Sequence, residues 1–374
     1  MDPVSIGVIG LGTMGTGIVQ VLAAAGFQVL ATDSRAPARG SAMDRLAAAL
    51  AARVAAGKLS EAERFATLAR VKVVEGPSEM ADVALAIEAV IEDLTAKKAI
   101  FAMLEQVMAP DAILASNTSS LSIAALAQGL VRPGRLVGLH FFSPAPAMKL
   151  VELVAHAGTD PAALGAVRAL MQPSGKVLID CPDRPGFIVN RCARPFYGEA
   201  LALLEEGRTA TEVDAAMLGA GYRMGPFSLI DLVGADINLS ATEGLNRAMG
   251  GHPRYHVFAA LRAQVVSGNL GRKTGRGFVF PDPPVDPPSD AADIVLRIEA
   301  TLANEAAWLL TEGGVIRDAI DTAMTLGLNL PRGPFECLRK HGAATILAEL
   351  ERLERLAAAH LRGRYLPAPE LDPA

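Results

Sequence analysis

The chain opens on an apolar run, Val4-Ser5-Ile6-Gly7-Val8-Ile9, that stops at Gly10-Leu11-Gly12-Thr13-Met14-Gly15 and passes at once into helical spacing. A short strand ending in G-x-G-x-x-G before a helix predicts the first unit of a dinucleotide-binding sheet. Gly10 permits the tight turn, Gly12 lets a pyrophosphate approach the backbone, and Gly15 lets helix pack on strand. The N–H groups at Thr13 and Met14 then face the anion. A second apolar run at 28–32 ends in Asp33, 23 positions after Gly10, where a carboxylate meets the adenosine ribose hydroxyls. That carboxylate favours NAD over its 2′-phosphorylated form, and Arg35 is the one neighbour that favours the phosphate.

Further strand-like runs lie at 71–75, 85–90, 112–116, 136–140, 149–155 and 176–179, most of them separated by helical segments. Alternating strand and helix predict a doubly wound, largely parallel sheet to about Cys181. Within it, the alanine- and arginine-rich stretch 37–68, broken at Gly57, predicts a helical hairpin. From Gly186 to about Gly251 the period is helical throughout, so an all-α domain is expected to begin near 182–185.

That helical segment is repeated. Glu199-Ala200 and Leu203-Leu204 recur as Glu305-Ala306 and Leu309-Leu310, offset by 106 positions. Asp214-Ala215-Ala216-Met217 recurs as Asp321-Thr322-Ala323-Met324 at 107, and Gly225-Pro226-Phe227 as Gly333-Pro334-Phe335 at 108. One-residue slips between matching blocks are what loop insertions leave in duplicated units. The expected fold class is therefore α/β plus all-α: a Rossmann-type doubly wound sheet followed by two tandem homologous helical domains. The expected boundaries are 1–183, 184–282, a proline-rich linker at 283–289, and a degenerate second copy at 290–374.

Composition narrows the partners. With 51% hydrophobic and 20% charged residues among 374, the chain is globular rather than disordered. A net charge of −5 offers no basic face for nucleic acid or an anionic membrane, so a small-molecule partner is expected. Cys181, Cys192 and Cys337 are far apart and form no C-x-x-C, which predicts neither disulfides nor a metal site and fits a reducing cytoplasm. No stretch resembles a membrane span, and the first strand leaves no room for a signal peptide.

Candidate chemistry clusters at the carboxyl ends of the later strands, where open α/β sheets place ligands. Ser116-Asn117-Thr118-Ser119-Ser120 follows one, and His140-Phe141-Phe142-Ser143-Pro144 ends another. Oxidising an alcohol requires a base for the hydroxyl proton, and His140 is the candidate. Glu152, a carboxylate inside the apolar run 148–154, is the candidate to fix its tautomer. Ser119 and Asn190, the latter in Gly186-Phe187-Ile188-Val189-Asn190-Arg191, are candidates to hold the reacting oxygen. Plainer readings stand beside these: a strand-end histidine, helix caps at Ser119 and Ser120, and a solvated helix pair at Glu92 and Lys97.

The motifs GLGTMG, SNTSS, GLHFFSPAP followed by MKLVELV, PGFIVNR, DAAMLGAGYRMGPF and GRKTGRGF, in that order, resemble the L-3-hydroxyacyl-coenzyme A dehydrogenase family over about 1–282. The repeat resembles that family's C-terminal domain. The resemblance implies NAD, held by Gly10, Gly12, Gly15, Asp33, Glu92, Lys97 and Asn117. It implies an (S)-3-hydroxyacyl-CoA substrate contacted by Ser119 and Asn190, with His140 as base and Glu152 as its partner. Ser143 stands where the family has asparagine, which alters local substrate hydrogen bonding. Arg39, Arg45, Arg53 and Lys58 do not match the family's coenzyme A contacts. Single-copy members pair through the helical domain, so the second copy is expected to cover that surface in a self-sufficient monomer. At offset 106 from Asn190 stands Leu296, so the second copy is expected to carry no redox site. Two other readings compete: a carnitine-type or other β-hydroxyacid dehydrogenase, which shares the glycine pattern, and a non-catalytic dinucleotide-binding sensor.

Overall fold

The computed structural model describes residues 4–282 and 284–371. Residues 1–3 and 372–374 lie outside it, as does Pro283, the first residue of the expected linker. The chain divides into two compact units, Met1–Arg184 and Pro185–Ala374.

The first unit runs β1 (Ser5–Ile9), α1 (Thr13–Ala24), β2 (Gln28–Thr32), α2 (Ala36–Gly40), α3 (Ala42–Ala55), α4 (Glu61–Ala69), β3 (Val71–Val73), β4 (Leu85–Glu88) and α5 (Leu94–Val107). It continues with β5 (Ile113–Ser116), α6 (Ile123–Ala127), β6 (Leu136–Phe141), β7 (Leu150–Ala155), α7 (Pro161–Met171) and β8 (Val177–Pro182). The strands form one eight-stranded sheet in the order β3-β2-β1-β4-β5-β6-β7-β8. Ile6, Val8, Leu85, Ile87, Leu114 and Val137 are fully buried, as expected of strands covered on both faces, each stabilising the fold by roughly 1.5–3 kcal/mol. The first six strands pair in parallel, but β7 runs antiparallel to β6 and carries β8 with it. The cause is chain length: a parallel return needs a crossover of about a dozen residues or more, and only residues 142–149 join β6 to β7.

The second unit is helical: α8 (Val189–Cys192), α9 (Arg194–Glu205), α10 (Ala210–Gly219), α11 (Pro226–Val233), α12 (Ala235–Ala248) and α13 (Ala259–Val266). There follow α14 (Ala291–Thr311), α15 (Arg317–Leu328), α16 (Pro334–His341) and α17 (Ala343–Leu356). No helix among the described residues is long and apolar enough to cross a membrane. The repeated sequence blocks have repeated structure. α11 and α16, like α12 and α17, match residue for residue at offset 108. Pro195, which brings no backbone N–H, breaks the first copy's leading helix into α8 and α9, whereas Thr301 at the matching place lets α14 run through. Asp214 accepts the Phe227 and Ser228 N–H groups at 2.8 and 2.7 Å. Asp321 does the same for Phe335 and Glu336 at 2.8 and 3.1 Å. A Cβ at Gly225 or Gly333 would come within 2.3 Å of these carboxyl groups, which is why both turns use glycine.

The two copies also clasp each other through crossed ion pairs. Arg191 donates from Nε to Glu305 at 2.8 Å and from both terminal nitrogens to Glu312 at 2.7 Å. Arg297, 106 positions on, donates from Nε to Glu199 at 2.9 Å and bidentately to Glu206 at 2.6 and 2.8 Å. Arg254 and Tyr255 complete Glu305 at 3.0 and 2.5 Å. Arg364 and Tyr365 complete Glu199 at 2.7 and 3.1 Å. Four arginines meet four carboxylates in a quasi-two-fold arrangement, each copy reaching into the other.

Candidate active site

The glycine loop leaves β1 with Gly10 at φ +101°, and a Cβ there would lie 2.5 Å from the Ala89 carbonyl oxygen. Gly15 is pressed harder, since its Cβ would stand 1.8 Å from the Gly10 oxygen. At Gly12, by contrast, a Cβ would meet nothing within 4 Å. Packing therefore explains two of the glycines and not the middle one, whose bare backbone opens toward the start of α1. No side chain caps α1, so its first-turn N–H groups at Thr13 and Met14 remain available to a pyrophosphate.

At the end of β2, Asp33 accepts the Leu11 N–H at 2.9 Å and the Arg35 N–H at 2.9 Å, tying this candidate ribose contact to the glycine loop. Burial alone would raise its pKa, but the Arg35 guanidinium and these N–H groups hold the carboxyl below its ordinary range. The arginines of the hairpin serve the same corner. Arg39 donates to the Asp33 carbonyl at 2.8 Å and Arg45 to the Leu11 carbonyl at 2.8 Å.

Glu92 and Lys97 belong to a network around a buried ammonium, with Glu92 at its exposed edge, rather than to a solvated helix pair. The Lys97 ammonium, on α5, lies 2.5 Å from Glu88 and 3.2 Å from Glu92. One Glu92 oxygen accepts Thr118 Oγ1 at 2.6 Å, Ser120 Oγ at 2.8 Å, and the Ser119 and Ser120 N–H groups at 3.1 Å each. Burial pushes the Glu92 pKa up, and Lys97, Thr118 and Ser120 more than offset this, so the carboxyl sits below its ordinary value. Ser119 and Ser120 are held by Glu92, while Ser122 is the cap of α6, accepting the Ala125 N–H.

Glu88 was missed at the sequence level. It is 0% exposed and accepts Lys97, Ser116 Oγ at 2.6 Å and the Val90 N–H at 2.7 Å. The available signal was an acid closing the apolar run Leu85-Ala86-Ile87. Asn117 carries the arrangement to the next strand: its N–H donates to the Glu88 carbonyl at 2.8 Å and its Oδ1 accepts the Phe141 N–H at 2.8 Å.

That N–H belongs to the residue after His140. His140 on β6 and Glu152 on β7 are direct partners in the antiparallel register, which brings facing Cβ atoms to about 4.5–5.5 Å. His140 Nδ1 lies 2.7 Å from Glu152 Oε2, and both side chains are buried. A carboxylate oxygen at this distance is an acceptor for an Nδ1–H, the tautomer of a neutral imidazole that leaves the lone pair at Nε2. Ser143 lies exposed in the β6–β7 connection. Asn190 lies on α8 in the second unit. In the first unit, therefore, the glycine loop, Asp33, Glu92, Asn117 and His140 belong to loops and strand ends at the carboxyl ends of the parallel strands, joined by Lys97 from the first turn of α5 and Glu152 from the amino half of β7.

Comparison with known proteins gives the family of both units. The family model described as "3-hydroxyacyl-CoA dehydrogenase, NAD binding domain" matches residues 5–184. That described as "3-hydroxyacyl-CoA dehydrogenase, C-terminal domain" matches twice, at 186–280 and 294–371. The chain is 44% identical over 275 residues to a 3-hydroxyadipyl-CoA dehydrogenase of Escherichia coli, a stretch covering 73% of this chain and 58% of that relative's length. It is 40% identical over 275 residues to a 3-hydroxybutyryl-CoA dehydrogenase of Bradyrhizobium diazoefficiens, covering 73% of this chain and 94% of the relative. Among solved structures, a 3-hydroxybutyryl-CoA dehydrogenase from E. coli superposes with a TM-score of 0.91 at 32% identity, covering 99% of this chain and 98% of the other.

Proposed function

The chain belongs to the 3-hydroxyacyl-CoA dehydrogenase family, and from that membership we propose that it oxidises an (S)-3-hydroxyacyl-CoA reversibly to the 3-oxoacyl thioester with NAD. The observation that carries the reading is the buried His140–Glu152 pair at 2.7 Å. His140 Nε2 takes the substrate hydroxyl proton, and Glu152 holds the ring's orientation and stabilises the imidazolium that forms. Ser119 and Asn190 hold the reacting oxygen, roles that rest on the family resemblance.

The loop at Gly10, Gly12 and Gly15, with the N–H groups of Thr13 and Met14 and the Asp33 carboxylate, fits a dinucleotide; Glu92, Lys97 and Asn117 complete the proposed set. NAD supplies the hydride acceptor when bound. Ser143 is assigned to the substrate side, with a shorter reach than the family's asparagine. We further propose the boundaries 1–183, 184–282 and 290–374, action as a monomer in the cytoplasm, and a second copy without a redox site. The deciding experiment is His140→Ala, assayed by NADH formation with 3-hydroxybutyryl-CoA. It lowers kcat by at least ~100-fold, the usual scale of a general base, with NAD affinity retained. An unchanged kcat removes His140 from the mechanism.

A further inference from the structure

Within the second unit, Arg194 stands apart from the balanced ion pairs between the copies. It is 7% exposed. Its Nε donates to the Asn190 carbonyl at 2.9 Å and its Nη1 to Thr242 Oγ1 at 3.0 Å, but among the described residues no carboxylate pairs with it and Nη2 donates to none. The Thr242 hydroxyl is committed to the Asn238 carbonyl at 2.7 Å. Asn238 is 4% exposed, and its side-chain nitrogen donates to no described residue. Its guanidinium stacks 4.9 Å over the Tyr197 ring, which offsets part of the cost of burying a charge without a counter-ion but gives Nη2 no acceptor.

The second copy shows what the scaffold itself requires. At the positions matching Arg194, Asn238 and Thr242 it has Ala300, Ile346 and Leu350, and Leu296 matches Asn190. Every polar member of the cluster is apolar in the copy that lacks Asn190. The arginines and glutamates that clasp the copies are kept in both. The cluster therefore goes with Asn190, not with the helical fold.

We propose that Arg194 and Asn238 receive a carboxylate at the far end of the substrate's acyl chain, so that the preferred substrate is a 3-hydroxyacyl thioester of about six carbons ending in a carboxylate. The inference rests on Asn190 meeting the substrate near its hydroxyl carbon, as proposed above. Residues four apart on a helix stand about 5–6 Å apart at Cβ, and three bonds from the hydroxyl carbon to the terminal carbon span about 4 Å. The lengths match. A carboxylate arriving there neutralises the guanidinium through charge-assisted hydrogen bonds, whereas a methyl end of equal length leaves it buried and unpaired.

The test measures kcat/KM with 3-hydroxybutyryl-, 3-hydroxyhexanoyl- and 3-hydroxyadipyl-CoA for the wild-type chain, Arg194→Met and Asn238→Ile. The wild type is expected to favour the adipyl over the hexanoyl thioester by roughly 10–100-fold, the scale of hydrogen bonds to a charge. Each variant is expected to cut that ratio by about 10-fold or more. A wild-type ratio near one overturns the proposal. So does an equal fall on all three thioesters, which would leave Arg194 only as support for the Asn190 backbone. If Arg194→Met does not fold, the Asn238→Ile ratio decides. Turnover of none of the three by the wild type would overturn the dehydrogenase reading itself.

Discussion

In α9, Glu199 receives the guanidiniums of Arg297 and Arg364, and in α14 Glu305 receives those of Arg191 and Arg254. The capping aspartates Asp214 and Asp321 likewise hold the same pair of N–H groups in each copy. Close by, the correspondence ends, with Asn190, Arg194, Asn238 and Thr242 in one copy facing Leu296, Ala300, Ile346 and Leu350 in the other. An interface needs both of its halves, so its residues persist in both; a substrate site needs one. The pattern of retention thus separates what holds the unit together from the residues proposed to meet substrate.

The largest effects should test the clasp. Glu199→Gln and Glu305→Gln each leave buried arginines short of a carboxylate and should lower the unfolding free energy by ~3–5 kcal/mol in denaturant titrations. A large cost for one beside none for the other would break the equivalence of the copies. Chemistry should instead be lopsided. On the proposed role of Asn190, Asn190→Leu should reduce kcat/KM by about 100-fold or more, while Leu296→Asn leaves it nearly unchanged. Asp214→Ala and Asp321→Ala should each cost ~1–3 kcal/mol, the penalty for buried N–H groups left without an acceptor, visible as matched shifts in denaturation midpoint.

The gentlest test is acid. Burial would raise the Glu199 pKa, but Arg364 and Arg297 bring it below the ordinary value. Its contribution is therefore complete above the unfolded value of about 4.3 and is lost as pH falls through the lower folded value. Burial holds Asp214 and Asp321 above the usual range. Their contribution has the opposite sign, fullest below the unfolded value of about 3.9 and declining as pH rises through the folded value. Stability followed from pH 7 into acid should thus fall less steeply in Glu199→Gln than in the wild-type chain, whereas the aspartate variants should not relieve the fall.

Much of this was legible in the sequence because it is local. The glycine loop, the strand and helix alternation, the hairpin broken at Gly57 and the repeated blocks are all patterns within short windows. His140 and Glu152 were visible as candidates, a histidine ending one apolar run and a carboxylate embedded in the next. Their direct opposition was not, because it depends on the reversal of β7 and on its register. Glu88 escaped for a similar reason: Lys97 and Ser116 reach it from other elements. The crossing of Arg191 to Glu305 and of Arg297 to Glu199 was likewise hidden, since a repeat shows which residues recur and not which copy they serve. Arg194 reads in sequence as an ordinary helix charge unmatched at Ala300 in the repeat, and its burial is what the structure adds.

The clasp between the copies lies within a single polypeptide, and that frees it from a constraint binding any assembly of identical subunits. Across a true two-fold axis each substitution appears on both sides, so a residue gained for catalysis is imposed on the partner as well. Here a change enters once. Position 194 holds arginine while its counterpart, 300, holds alanine, a combination no pair of identical chains can present. The tether also keeps the local concentration of one half around the other independent of dilution, so the clasp can form at expression levels too low to sustain a bimolecular encounter.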